Sequence, residues 1–184
     1  MWECPDIFPM GDKYVMTFSP MGAGDHTSVY MVGDLAYETG KFDCQISREI
    51  DWGFDYYAPQ SFLAPDGRRI MVGWSNEWEW MPLWKDWGPT YKEGWCGSFN
   101  IPREVHMRED GTLQFIPIKE IKNLRENADQ RDKVVVKEEG TEVTAGDGVS
   151  YELKFRIDLK ETDADCLDII LRCGENGKTV CRNK

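Results

Sequence analysis

The 184 residues are 41% hydrophobic and 30% charged, a soluble globular composition sufficient for one domain or parts of two. A formal net charge of -11 repels nucleic acid and anionic lipid, so a neutral or small ligand is the better match. No run reaches the roughly 18 apolar residues of a membrane span, and no charged-then-apolar leader opens the chain.

From the N-terminus the pattern is β. Residues 13–18 (KYVMTF), 27–32 (TSVYMV), 56–63, 69–74, 98–101 and 112–116 are short β-branched and aromatic runs. Turn signals separate them at Met10-Gly11-Asp12, Gly22-Ala23-Gly24-Asp25, Pro65-Asp66-Gly67 and Asp110-Gly111. Asp12, Asp25 and Asp34 fall in predicted turns. Many short antiparallel strands with even turns predict a sandwich, a barrel or propeller blades. Near residue 118 the pattern changes. Ile118, Ile121 and Leu124, with polar residues between, predict a short amphipathic helix, followed by a charged linker. β-type runs resume at 134–136, 151–157 and 167–171. Tyr151, Leu153, Phe155, Ile157 and Leu159 alternate with mostly polar residues, which predicts one buried face in a second all-β unit. About fifty residues are few for a free-standing sandwich of about a hundred. The predicted organisation is therefore a β-rich unit over 1–118, a helix and linker over 119–132, and part of a second β unit over 133–184.

Cys4, Cys44, Cys96, Cys166, Cys173 and Cys181 form no Cys-x-x-Cys pair, and His26 and His106 are far apart, so no zinc site is predicted. The thiols are expected to be free and buried, as in a reducing cytoplasm, with a disulfide among the last three as the alternative. Six of the eight tryptophans fall between Trp74 and Trp95, a density that calls for a large core, a ligand or both.

Several local patterns occur in one order. The chain opens Trp2-Glu3-Cys4-Pro5-Asp6, followed by Asp51-Trp52-Gly53-Phe54-Asp55-Tyr56-Tyr57-Ala58-Pro59-Gln60 and Arg68-Arg69-Ile70-Met71-Val72-Gly73-Trp74. Then come Gly94-Trp95-Cys96-Gly97, Ile101-Pro102-Arg103-Glu104 and Gln114-Phe115-Ile116-Pro117, the last leading to Glu120 and Leu124-Arg125. Carboxylates and amides such as Asp51, Asp55 and Gln60 suit a hydroxyl-bearing ligand because each makes paired hydrogen bonds. Asp51-Trp52-Gly53 could equally shape a turn while Tyr57 packs in the sheet. Trp74 offers a flat face on which a ligand ring could stack, and Trp78, Trp80, Trp84 and Trp87 could extend that floor or pack in the core. Arg103 and Glu104 read as a structural ion pair.

Taken together, these motifs resemble glycoside hydrolase family 32, the invertases, sucrose-6-phosphate hydrolases and fructan hydrolases. The resemblance covers residues 1 to 126 and, more loosely, the tail. It implies an all-β chain: part of a five-bladed β-propeller, a short linker helix and part of a β-sandwich. It also implies a retaining β-fructofuranosidase, with Glu3 as general acid/base and with Asp51, Asp55, Tyr57, Gln60 and Trp74 lining the sugar pocket. An acid that protonates a glycosidic oxygen near neutral pH must hold its proton more tightly than an ordinary carboxyl, and burial near a second carboxylate achieves this. No metal or organic cofactor is implied, because two carboxyl groups suffice for this reaction.

The family's nucleophile is an aspartate in an Asn-Asp-Pro motif, and an Arg-Asp-Pro aspartate contacts the fructosyl hydroxyls. Neither tripeptide occurs in these 184 residues. The resemblance therefore implies that about half of the propeller lies outside them and that the chain alone has little or no fructosidase activity. Its open blade faces would need that missing half or self-association. Two other readings are a non-catalytic fructan-binding remnant and a propeller enzyme acting on arabinose or xylose polymers. The second leaves the Glu3 motif unexplained.

Overall fold

A computed structural model of the chain describes residues 1–24, 26–53, 55–75, 93–95, 97–141, 143 and 150–170. The chain divides into two compact units, Met1–Ile121 and Lys122–Lys184. The first is built from β1 (Trp2–Met10), β2 (Lys13–Pro20), β3 (Val29–Ala36), β4 (Lys41–Glu49), β5 (Tyr57–Leu63), β6 (Arg69–Trp74), β7 (Arg103–Met107) and β8 (Leu113–Pro117). These form two four-stranded antiparallel meanders, β1-β2-β3-β4 and β5-β6-β7-β8.

Turn chemistry sets the register. Met10 pairs with Lys13 across a two-residue loop in which Gly11 has φ 65°, a left-handed conformation that costs glycine nothing. Asp66-Gly67 turns β5 into β6, with the Ala64 N–H donating to the Arg68 carbonyl at 2.7 Å. At this end Arg68 forms a fork on Glu120 (2.7 and 3.1 Å) and also bonds Asp66. The guanidinium holds both carboxyls below their ordinary range.

Strand alternation builds the core. On β2 it puts Val15, Thr17 and Ser19 on one face, each 0% exposed. Phe8, Val15, Tyr30 and Val32 of the first sheet meet Met71, Val105 and Leu113 of the second. The Tyr30 hydroxyl crosses between sheets to accept the Leu113 N–H at 3.1 Å. Ile50 and Tyr56, both in the connection between the sheets, complete the cluster.

The pattern of runs and turns anticipates β2, β3, β5, β6 and β8, but not β1, β4 and β7. Pro5 and Pro9 interrupt β1, and β4 is mostly polar and exposed. Only Val105 is buried on β7. The run at 98–101 is not a strand: it contributes one bridge, Trp74 to Phe99, and Phe99 and Ile101 are exposed. Asp34 lies in β3 rather than in a turn and bonds Lys13 and Gln45. Adjacent strand residues point to opposite faces, so Arg103 and Glu104 do not pair with each other. Arg103 pairs with Asp51, and Glu104 with Arg68 and His106.

The expected amphipathic helix is a 3-10 segment, Lys119–Leu124, with no buried residue. A strict three-residue spacing of Ile118, Ile121 and Leu124 matches the 3.0-residue turn of that helix better than 3.6. In the second unit, no strand forms among the described residues. The alternation from Tyr151 to Ile157 buries no face, since all four apolar side chains are exposed. A strand face is buried only against another layer, and the described residues supply none here. The unit contains a turn, with the Gly140 N–H on the Lys137 carbonyl, and an Arg125–Glu152 ion pair. Cys4, Cys44 and Cys166 are free but exposed, against the expected burial. Cys96, Cys173, Cys181, Trp78, Trp80, Trp84 and Trp87 lie outside the described residues.

Tyr56 is fully buried and has its ring under the Arg103 guanidinium at 4.5 Å. A Cβ on Gly73 would stand 2.9 Å from Cε1 and Cζ of that ring. Gly73→Ala should therefore destabilise the fold by about 1–3 kcal/mol, measured by the urea midpoint. The Tyr56 hydroxyl has no hydrogen-bond partner among the described residues, and burial pushes its pKa from 10.0 up to about 12. The folded state thus holds a proton that the unfolded chain releases above pH 10. Stability present below pH 10 should decline by roughly 2–3 kcal/mol as pH rises through 12. Tyr56→Phe should remove that alkaline decline at little cost at pH 7, read from urea unfolding of both proteins between pH 8 and 12.

Candidate active site

The first strand of each sheet carries a bulge. On β1 the pairs Glu3↔Ser19 and Asp6↔Thr17 enclose one extra residue, and on β5 the pairs Tyr57↔Trp74 and Gln60↔Val72 do the same. The sequences match: Glu3-Cys4-Pro5-Asp6 and Tyr57-Ala58-Pro59-Gln60. In each, the residue before proline is left-handed, Cys4 at φ 49° and Ala58 at φ 50°. For a residue with a Cβ this costs about 1–2 kcal/mol, and proline further disfavours a helical neighbour. Bulges bend the strand and re-aim the flanking side chains.

The bulges are tied to each other. Tyr57 donates its phenolic O–H to Oε2 of Glu3, which is half-buried. Gln60 Nε2 donates to the Cys4 carbonyl at 3.0 Å and to the Pro59 carbonyl at 2.9 Å. Asp6 Oδ2 accepts the Ser61 N–H at 2.9 Å and its hydroxyl at 2.5 Å. The Trp74 ring meets Tyr57 edge-on, with centroids 6.2 Å apart and planes at 71°. Glu3, Tyr57, Gln60 and Trp74 therefore converge. Trp2, next to Glu3 in the sequence, is exposed and stacks on Phe18 with ring centroids 4.3 Å apart.

Asp51 serves a separate arrangement. Its Oδ2 pairs with Arg103 at 2.6 Å, and its Oδ1 accepts the Gly53 N–H at 2.7 Å. Both oxygens are thus occupied, one by an ion pair and one by the turn. Asp55 is half-buried in the segment leading into β5 and has interactions of its own. Beside the bulge, an apolar groove of about 990 Å³ runs over β5 and β6, lined by Gln60, Phe62, Val72, Trp74, Phe99 and Ile101. No cluster of three or more His, Cys, Asp or Glu suited to a metal occurs among the described residues.

Inspection of the motifs alone does not reveal the hydroxyls beneath the β5 bulge. Ser28 Oγ donates to the Tyr56 carbonyl at 2.7 Å, and Ser19 Oγ accepts the Ala58 N–H at 2.9 Å. The two serine oxygens are 2.8 Å apart. One signal was available: Ser19 continues the alternation of Val15 and Thr17, so it had to be a buried polar side chain needing partners.

Chemically, the arrangement presents one oriented carboxyl beside an aromatic and amide-bearing groove. Among the described residues, Oε2 of that carboxyl takes the phenol and no hydrogen-bond partner meets its Oε1. The family model for the "Glycosyl hydrolases family 32 N-terminal domain" matches residues 1–117. Among curated relatives, sucrose-6-phosphate hydrolase of Escherichia coli is 33% identical over 95% of this chain and 36% of its own length. Raffinose invertase of the same organism is 40% identical over 68% of this chain and 26% of its own. The chain thus spans about a third of the length of the curated relatives it matches. Among solved structures, a Bombyx mori GH32 beta-fructofuranosidase superposes with TM-score 0.56 at 32% identity, over 68% of this chain and 27% of that one. The sucrose-6-phosphate hydrolase of Lactobacillus gasseri gives 0.58 at 29% identity, again over 68% and 27%. Two bulged antiparallel sheets with an oriented glutamate, together with a family match over residues 1–117, lead to one assignment: the chain belongs to glycosyl hydrolase family 32.

Proposed function

We propose that this chain contributes the general acid/base, Glu3, to a retaining hydrolase that releases fructose from sucrose or a related β-fructofuranoside. The observation that carries the reading is the Tyr57–Glu3 hydrogen bond across the paired bulges. With Oε2 held by the phenol, Oε1 is the oxygen that protonates the departing glycosidic oxygen and later takes a proton from water attacking the fructosyl-enzyme. Family membership supports the reaction class, and one neighbouring structure, a variant of the Bombyx mori enzyme, holds sucrose. Trp74 and Gln60 serve the sugar as groove residues in this reading, with Tyr57 as the orienting donor. Asp51 and Asp55 act at its edge, Asp51 mainly by fixing Arg103.

The two sheets are then two blades of a five-bladed propeller, and the apolar groove with its exposed Phe62, Phe99 and Ile101 faces an adjoining blade. The nucleophilic aspartate belongs to the part of that propeller outside residues 1–184. The isolated chain is expected to hydrolyse neither sucrose nor inulin; turnover by it that disappears in Glu3→Gln would place the nucleophile within these residues. Joined to a segment bearing the family's Asn-Asp-Pro motif, the assembled enzyme should lose roughly 10²–10⁴-fold in kcat on Glu3→Gln. With an aryl fructoside whose leaving group needs no acid, azide should restore turnover in Glu3→Ala by attacking the fructosyl-enzyme in place of water, giving the fructosyl azide. Wild-type turnover in Glu3→Gln overturns the assignment, and sugar binding without turnover in the assembled protein favours the fructan-binding alternative.

A further inference from the structure

We infer that Ser19 and Ser28 form a buried hydroxyl relay whose role is to position Tyr57 on Glu3. The inference rests on the reading of Glu3 as the acid/base. Proton accounting fixes the direction of the relay. Ser28 has one hydroxyl proton and donates it to the Tyr56 carbonyl at 2.7 Å. The 2.8 Å contact between the serines must therefore use the Ser19 proton, donated to Ser28 Oγ. Ser19 is left with lone pairs, and one of them accepts the Ala58 N–H at 2.9 Å. The relay thus grips the peptide on both sides of Tyr57: the carbonyl before it and the N–H after it.

Both serines are 0% exposed, so neither bond competes with water and both hydroxyls are satisfied. Ser19 also sits opposite Glu3 in the β1–β2 ladder. One residue is therefore bound to the backbone neighbourhood of the acid and to the bulge that carries its partner. Ala58 is left-handed at φ 50°, a conformation β5 would not keep without an external hold on its N–H. Release of that hold lets Ala58 relax toward extended backbone, which swings the Tyr57 phenol away from the carboxyl.

The test follows the tyrosine ring itself. In the full chain carrying tyrosine ¹³C-labelled at Cζ, the Tyr57 resonance reports its bond to a carboxylate, and Glu3→Gln gives the position for the loss of that charged partner. Ser19→Ala and Ser28→Ala should each move the Tyr57 signal away from its wild-type position and abolish slow exchange of the hydroxyl proton. Val15→Ala, on the same buried face of β2, should lower the melting temperature and leave the signal in place. Ser19→Cys and Ser28→Cys make the same test with the cavity filled and only a weak donor, should an alanine variant fail to fold. A wild-type Tyr57 signal in the serine variants, or an equal shift in Val15→Ala, overturns the inference. Failure of the acid/base reading would show instead as turnover of the assembled enzyme that survives Glu3→Gln, while the Tyr57 signal still moves in the serine variants.

Discussion

The site depends on a single constraint: the first strands of both sheets must leave regular β geometry and be held there. At each bulge a left-handed residue precedes a proline, which is unfavourable by about 1–2 kcal/mol before any partner is counted. The hydrogen bonds that offset it run between β1, β2 and β5 and range from part-buried to exposed. Gln60 caps the Cys4 carbonyl, Ser19 accepts from Ala58, and Asp6 takes both donors of Ser61. Each contributes about 1 kcal/mol when made and costs about 1–3 kcal/mol when a buried group loses its partner. That asymmetry makes the bulge pair an all-or-none arrangement rather than an adjustable one.

The consequence for chemistry is orientation. A carboxyl at the end of a strand has several rotamers, and fixing one oxygen with a phenol from a different sheet leaves one direction for the other. The bond joins β1 to β5 across fifty-four positions of sequence, so the site cannot form until both sheets have packed. Tyr56 and Tyr57 divide the work at that junction. Tyr56 goes inward beneath Arg103 and against Gly73, and Tyr57 reaches Glu3 and Trp74. Asp51 belongs to the inward half. It holds Arg103, which covers Tyr56, which anchors the segment entering β5.

Much of this was legible in the sequence, and the limits have physical causes. Turns with glycine at a left-handed position are local, so Gly11, Gly67 and Gly111 gave the hairpins correctly. Strands that hold proline or mostly polar residues, such as β1 and β4, carry weak local signals and exist because a neighbour pairs with them. The alternation from Tyr151 to Ile157 shows the converse, since a correct period buries nothing without a facing layer. The motifs located Glu3, Tyr57, Gln60 and Trp74 without revealing which of them touch, because those contacts run between sheets. Gln60 illustrates the gap: an amide expected to read sugar hydroxyls spends its Nε2 donors on two backbone carbonyls.

A further regularity was present in the sequence and became visible only with the register. Glu3-Cys4-Pro5-Asp6 and Tyr57-Ala58-Pro59-Gln60 occupy the same place in their sheets, with the same extra residue and the same sign of φ. Proline suits the interior of a bulge because it has no N–H to leave unpaired where the ladder is interrupted. The first position of each tetrad is aimed at the other sheet: in one it is the carboxylate, in the other the phenol that binds it. The last positions, Asp6 and Gln60, both bond across the gap. A repeated backbone device has thus been given complementary side chains, acceptor on one copy and donor on the other. Exchange of chemistry between the copies, Glu3→Tyr with Tyr57→Glu, would keep the hydrogen bond but move the carboxyl to a different strand. In the proposed reaction the carboxyl must stand at a fixed place relative to a second one, so the pair is symmetric as a structural element and asymmetric as a proposed site.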